Sequence, residues 1–385
     1  MYARVFPQGE AVPRELARMG GAAPPLAQVW KLIAVPQATA AVFTAWLAQQ
    51  GGWWCSAPGA HPDTVDVLFG GSTALPGTLG QAAAAQPALQ PVATALEAAL
   101  ALLQEPPRTL QLGSATLDLS RPRLMGILNV TPDSFSDGGL YLRPEEALKH
   151  AEAMLSAGAD LIDVGGQSSR PGAVPVPAEV EWQRVVPVVR EIVKRFGALV
   201  SVDTYRARVA EAALDAGAVM VNDISALRFD PKMAPLLARH QAAVVLMHMQ
   251  GTPRTMQQAP TYHHVVDDVY GFLAARLRYA MAQGIDRQRI VLDPGFGFGK
   301  RGAHNLDLLR DLAHFRSLGQ PLLVGTSRKL LLARYLPPAA RDRLEDTLVS
   351  VLYAALQGAA LVRVHDVAPV QRLLALLDVM ARHGP

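Results

Sequence analysis

Cysteine is almost missing from the chain: Cys55 is the only one among 385 residues. An internal disulfide and every cysteine-cluster metal site are therefore excluded, and a reducing cytoplasm is the expected setting. Net charge is also scarce, at +3 for this length, which argues against a dedicated nucleic-acid binder despite a pI of 9.1. Long hydrophobic runs are lacking as well. The opening residues, MYARVFPQGEAVPRELARMGG, have no unbroken apolar segment of the kind a secretory signal needs. The most apolar helix-like stretch, Val92 to Leu103, carries Glu97 and is too short to span a bilayer. A soluble protein with no membrane partner is expected. Half the residues are apolar and 18% are charged, the balance of a globular protein, and 385 residues exceed one ordinary core.

Two textures divide the chain. Residues 1–107 read as a small α/β unit, with strands at Trp30–Val35, Trp53–Ser56 and Thr64–Phe69 and helices over Ala38–Gln50, Leu79–Gln86 and Val92–Gln104. Gly51-Gly52 ends the first helix, while the Ala/Pro-rich joints at Ala82–Pro91 and Glu105-Pro106-Pro107 read as a hinge and a linker. No catalytic constellation is visible there, and Trp53-Trp54 reads either as core packing or as a ligand surface.

Residues 108–385 repeat strand, polar loop, helix and glycine. Apolar strands are expected at Leu124–Leu128, Leu161–Val164, Leu199–Val202, Val219–Val221, Ala243–Met247, Ile290–Leu292, Leu322–Val324 and Leu361–Val364. The helices between them end at Gly158, Gly197, Gly217, Gly284, Gly319 and Gly358. Eight βα units predict a TIM (β/α)8 barrel, with a doubly wound open sheet as runner-up. No GxGxxG fingerprint follows the first strand to favour the latter.

The organising stretch is Leu124–Gly139, LMGILNVTPDSFSDGG, where a buried strand runs into a polar loop. Every expected strand ends in chemistry: Asn129, Asp163, Asp203, Asn222 with Asp223, His248, Asp293, Ser327-Arg328-Lys329, and Arg363 with His365. One such aspartate alone reads as a helix cap; the whole set at one end reads as the mouth of the barrel. Carboxylates and an amide at Asp203, Asn222 and Asp293 suit a ligand edge rich in N–H donors, such as a pterin or purine. The cations Arg170, Lys329, Arg363 and His365 suit a phosphate or pyrophosphate. Asn129 and Asp137 read equally as a sparse oxygen pair for Mg²⁺ beside pyrophosphate or as loop-capping Asx turns.

The segments GILNVTPDSFSDGG (Gly126–Gly139), DVGGQSSRPGA (Asp163–Ala173), SVDT (Ser201–Thr204), VNDI (Val221–Ile224), LMHMQGTPRTMQ (Leu246–Gln257), LDPGFGFGK (Leu292–Lys300), GTSRK (Gly325–Lys329) and RVHDV (Arg363–Val367) resemble the dihydropteroate synthase family in order and spacing. The resemblance covers about Thr109 to the C-terminus, and the unit before it is similar to an extension that some members carry. It implies an enzyme of folate synthesis that joins 6-hydroxymethyl-7,8-dihydropterin pyrophosphate to p-aminobenzoate, releasing pyrophosphate. By motif, Asp203, Asn222, Met247, Asp293 and Lys329 would hold the pterin. Ser169, Arg170, Arg363 and His365 would hold pyrophosphate, and Phe135, Pro171 and Phe298 would form the aminobenzoate pocket. Asn129 and Asp137 would hold Mg²⁺, and Asp137, Arg170, Lys329 and Arg363 would be the catalytic residues. Sulfonamides would inhibit by imitating the arylamine, and a homodimer through barrel helices is implied.

Such a reaction needs no strong general base, because an arylamine is unprotonated at neutral pH, and no Ser/His/Asp or Cys/His arrangement is found. Two positions depart from the family pattern. Gln167 stands where a glutamate is usual, which removes a negative charge beside the pyrophosphate loop and leaves that loop's behaviour open. Leu330 stands where several relatives have serine, which makes the aminobenzoate pocket more apolar. A pterin-binding methyltransferase barrel and a catalytically silent paralogue are the competing readings. His263-His264 and Cys55 find no third metal ligand at a useful spacing.

Overall fold

A computed structural model describes residues 1–6, 19, 28–59, 61–104, 106–131, 143–170, 172–338 and 342–382. It comprises two compact units. The first consists of Met1–Pro106 together with Tyr262–Gly271 and Arg310–Gly319. Its sheet has the order β1-β2-β4-β3, from Tyr2–Phe6 (β1), Gln28–Pro36 (β2), Trp53–Pro58 (β3) and Thr64–Gly71 (β4), all neighbours antiparallel. Trp30, Leu32, Val67 and Phe69 face a core shared with Phe43, Leu47, Leu79, Leu89 and Leu96 of the helices. Alternation sends their strand neighbours to the opposite face. There Lys31 is fully buried, with its ammonium on Asp267 and 3.5 Å from Asp66. A lysine withdrawn from water needs such partners.

The expected elements of this unit appear with modest extensions. The helix Leu75–Ala85 begins four residues before its expected start because Pro76 fits the first helical turn. The Ala82–Pro91 stretch is a packed corner and not a hinge: a 3-10 turn at Pro87–Leu89 drives Leu89 fully into the core. Strand β1, which the sequence reading omitted, is fixed by its pairing with β2.

The second unit opens with a hairpin, Thr109–Leu112 (β5) and Ala115–Asp118 (β6), followed by eight parallel strands. These are Arg123–Asn129 (β7), Leu161–Gly165 (β8), Val200–Asp203 (β9), Met220–Asp223 (β10), Ala243–Met247 (β11), Ile290–Asp293 (β12), Leu323–Val324 (β13) and Leu361–Val364 (β14). The sheet order β12-β11-β10-β9-β8-β7-β14-β13 closes on itself. A parallel bridge joins Leu292 to Leu322, and the Leu292 N–H donates to the Pro321 carbonyl at 2.9 Å. This is the expected (β/α)8 barrel. All six glycines read as helix stops have positive φ.

Leu110, Leu112 and Leu117 of the hairpin pack on Leu161, Met220, Ala243, Leu323 and Leu361, the first residues of five strands. The hairpin thus plugs the N-terminal end of the barrel. Polar chemistry is left to the other end. No described helix is long and apolar enough to cross a membrane.

Candidate active site

Strand register builds the floor of the mouth. Asn129 lies beside Gly165, Gly165 beside Asp203, and Asp203 beside Asn222, so these strand-end residues form one row across four strands. Gly165 keeps the row open: a Cβ there would stand 3.5 Å from the Asp203 Cβ and 3.6 Å from Asn129 Oδ1. A level lower, Asp163 is fully buried. Arg363 Nε donates to its Oδ2 at 2.6 Å and Asn222 Nδ2 to the same oxygen at 3.0 Å. Arg363 Nη2 also donates to Asp203 Oδ2 at 2.8 Å. Two acceptors, Asp163 Oδ1 and Asn222 Oδ1, are buried with no hydrogen-bond partner. Buried acceptors without partners mark a place where a ligand can donate.

On the far side of the row the segment Gly295–Lys300 is held by buried polar groups. The Gly295 N–H donates to Asp293 Oδ1 at 2.7 Å. Only glycine fits there, since φ is +71° and a Cβ would fall 2.0 Å from the His248 carbonyl oxygen. Lys300, also buried, donates to the carbonyls of Gly295 at 2.8 Å and Phe298 at 2.9 Å and meets His248 Nδ1 at 2.8 Å. The segment therefore presents Phe298 to the mouth on a rigid base. Phe298 packs with Ile224, Met247, Met249, Met256 and Tyr205. The Lys329 ammonium lies 4.8 Å from the Phe298 ring centre and donates to the Phe296 carbonyl at 2.6 Å.

These groups surround a cavity of about 900 Å³, lined among others by Asn129, Ser169, Arg170, Asp203, Phe298 and Lys329. Arg363 and His365 line it too. Its outer wall adds Arg301, Arg334 and Arg343, so cations far outnumber the lining carboxylates. Such a mouth attracts polyanions. Withdrawal from water raises the Asp203 carboxyl to about 7, with Arg363 opposing the rise and Asp163 adding to it. Asp293 is raised by burial, against its Gly295 hydrogen bond and Lys329. Lys329 is lowered to about 8 by withdrawal of its ammonium from water, which Asp293 opposes and Arg363 reinforces.

His365 departs from the sequence reading, which grouped it with the cations. Burial, then Arg363 and Arg328, push it down to about 4, so it is a neutral imidazole whose Nδ1 meets Ser327 Oγ at 3.0 Å. A neighbouring guanidinium makes a second positive charge costly.

Of the residues singled out in the sequence, Asn129, Ser169, Arg170, Asp203, Phe298, Lys329, Arg363 and His365 line the cavity. Asn222, Met247 and Asp293 do not line it: Asn222 stands beside the lining residue Asp203, Met247 packs with the lining residue Phe298, and Asp293 stands beside Met247. Phe135, Asp137 and Pro171 lie outside the described residues. Sequence reasoning missed Lys300 and gave Asp163 no role. The only signal for Lys300 was its position closing the glycine-rich run, and Asp163 looked like any strand-end carboxylate. For a metal, no group of three His, Cys, Asp or Glu side chains suited to one occurs among the described residues. Asn129, whose Oδ1 would lie 3.6 Å from a Cβ on Gly165, lines the cavity and offers a hard oxygen donor there.

Fold and mouth define a (β/α)8-barrel enzyme that works at the C-terminal ends of its strands. The family described as "pterin binding enzyme" matches residues 125–365. Dihydropteroate synthase of Escherichia coli strain K12 is 47% identical over 263 residues, 68% of this chain and 93% of that protein. The structure of Xanthomonas albilineans dihydropteroate synthase with 4-aminobenzoic acid superposes with a TM-score of 0.67 at 42% identity, covering 72% of this chain and 99% of that one. Yersinia pestis dihydropteroate synthase in a sulfonamide drug complex gives 0.66 at 44% identity, covering 71% and 99%. The chain belongs to the dihydropteroate synthase family.

Proposed function

We propose that the chain condenses 6-hydroxymethyl-7,8-dihydropterin pyrophosphate with p-aminobenzoate to give 7,8-dihydropteroate and pyrophosphate. The observation that carries this is the pairing of a buried acceptor floor, with Asn222 Oδ1 still unpartnered, and a rim rich in cations. Asp203, Asn222 and Asp293 accept the N–H donors of the pterin, which offset the cost of burying them. Met247 packs beside the ring and Lys329 closes its edge. The catalytic barrel on this reading is 108–385, preceded by a 1–107 extension to which no role is assigned.

As the bond to pyrophosphate lengthens, the pterin ring feeds electrons into its exocyclic methylene. Positive charge grows on the carbon and negative charge on the leaving group. Arg170, Arg363 and the Ser169 hydroxyl stabilise that leaving group, and neutral His365 contributes a hydrogen bond and not a charge. Asn129 and Asp137 would hold Mg²⁺, which supplies further positive charge to the departing oxygens. The arylamine then attacks the methylene carbon from the Phe135, Pro171 and Phe298 side and loses its proton to solvent.

Sulfonamides compete for the arylamine position, and the cytoplasm is the site of action. A homodimer is supported by an apolar stripe on two packed helices: Val349, Tyr353 and Leu356 on Arg343–Leu356, and Leu376, Val379 and Met380 on Val367–Arg382, all exposed.

The deciding experiment gives purified protein the dihydropterin pyrophosphate with Mg²⁺, with and without p-aminobenzoate, and measures pyrophosphate release. Release that requires both supports the reading. Tight pterin binding without release overturns it in favour of a catalytically silent pterin-binding protein. Asp137→Ala should lower turnover at least about a hundredfold, the scale of losing one preorganised charge-stabilising group.

A further inference from the structure

Gln167 begins a turn that returns at Val176, and its amide spans the gap. Its Oε1 accepts the Val176 N–H at 3.2 Å, and its Nε2 donates to Tyr205 Oη at 2.8 Å. The Val176 carbonyl is held from the other side, by Arg206 Nη2 at 2.6 Å. Arg206 is itself anchored on Glu181, which is buried and also accepts from Thr204 Oγ1 at 2.6 Å. Both backbone polar groups of Val176 are thus engaged, one by Gln167 and one by Arg206. Ser169 and Arg170 lie in the chain between these two braced ends and line the cavity. Tyr205 carries the brace inward: its ring meets Phe229 edge-on at 5.3 Å and packs in the cluster of Met247 and Phe298.

A carboxylate at 167 would meet the same two partners only if Tyr205 turned to donate, and it would bring a second negative group close to Glu181. Glu181 Cγ lies 3.2 Å from where a Cβ on Gly166, the residue before Gln167, would stand. The amide satisfies one donor and one acceptor there without adding charge.

We propose that Gln167 is a positioning residue: its amide, acting with Tyr205 and Arg206, locks the ends of the 167–176 turn so that Ser169 and Arg170 are held toward the pyrophosphate. This rests on the pyrophosphate reading above and deepens it. The Gln167 amide bonds to Val176 and Tyr205 and to none of Asp203, Asn222 or Asp293, so its removal should loosen anion binding far more than pterin binding.

The test compares two probes by calorimetry: 6-hydroxymethyl-7,8-dihydropterin alone, and inorganic pyrophosphate with Mg²⁺ added to the protein already holding that pterin. Gln167→Ala should weaken pyrophosphate about tenfold, the loss expected from two neutral hydrogen bonds, and leave the pterin within about twofold. The KM for the pterin pyrophosphate should rise by a similar factor. Tyr205→Phe should weaken pyrophosphate about threefold. Gln167→Glu, which can still accept from both partners, should recover most of the affinity. Pyrophosphate affinity unchanged in Gln167→Ala, or both probes weakened equally, or no recovery in Gln167→Glu, overturns the proposal. Wild-type protein that binds both probes but releases no pyrophosphate from substrate overturns the enzymatic reading instead and leaves the positioning role to be judged by the two affinities.

Discussion

Arg363 Nε meets Asp163 Oδ2 at 2.6 Å in a pair whose carboxylate is wholly buried, while the same guanidinium reaches Asp203 at 2.8 Å. One arginine thus pairs with two carboxylates on neighbouring strands. Its planar fork makes this possible, and a lysine has no equivalent geometry.

Removal of that guanidinium leaves the buried Asp163 carboxyl supported only by Asn222. Arg363→Ala should therefore cost about 3 kcal/mol of stability in denaturant unfolding, the range for breaking a buried pair from one side. Combining Arg363→Met with Asp163→Leu should recover much of that loss without recovering activity. Equal stability of Arg363→Ala and the wild type would show that water already screens the pair.

Affinity for the bare 6-hydroxymethyl-7,8-dihydropterin should peak between about pH 7 and 8. Asp203 is raised to about 7, so below that pH it carries a proton and stops accepting from the ligand. Lys329 is lowered to about 8, so above that pH it loses its charge. Lys329→Arg should carry the alkaline limb beyond the measurable range and leave the acid limb in place. A flat profile from pH 6 to 9 would contradict both shifts.

Stability should respond to His365 in the acid range. Its folded-state pKa is depressed from 6.5 to about 4, so between those values the unfolded chain binds the extra proton and the native one does not. The resulting stabilisation is complete above pH 6.5 and is lost as pH falls toward 4. His365→Asn should flatten the corresponding part of the stability curve. An NMR titration of the wild-type ring that moves at pH 6.5 would refute the neutral-imidazole assignment.

Gly295→Ala should destabilise by about 3 kcal/mol or more, because its Cβ would lie 2.0 Å from a backbone oxygen at a φ of +71°. The damage should also reach Phe298 and raise the KM for p-aminobenzoate. Gly77→Ala, in an exposed helix with nothing within 4 Å, is the matched control and should be neutral or slightly stabilising.

The barrel was legible because its eight strands are short apolar runs, each leading to a polar residue and six of them preceded by a glycine-ended helix. Local chemistry alone produces that pattern. The strand-end residues Asn129, Asp203, Asn222 and Asp293 were legible for the same reason, since strand ends are visible in sequence. Strand β1 and the β5–β6 hairpin were not. They are four or five residues long, and what makes them strands is the partner they pair with and the barrel end they cover.

The sequence by itself determined the barrel's strand count, the polar strand ends and the family motifs, because each depends on residues adjacent in the chain. Only the tertiary structure decided which charges are real. It paired Arg363 with Asp163 across 200 positions, neutralised His365 by burying it near two arginines, and turned Gln167 from a missing charge into a brace on Val176 and Tyr205. Charge state depends on burial and on neighbours brought in from distant strands. Neither exists until the barrel has closed.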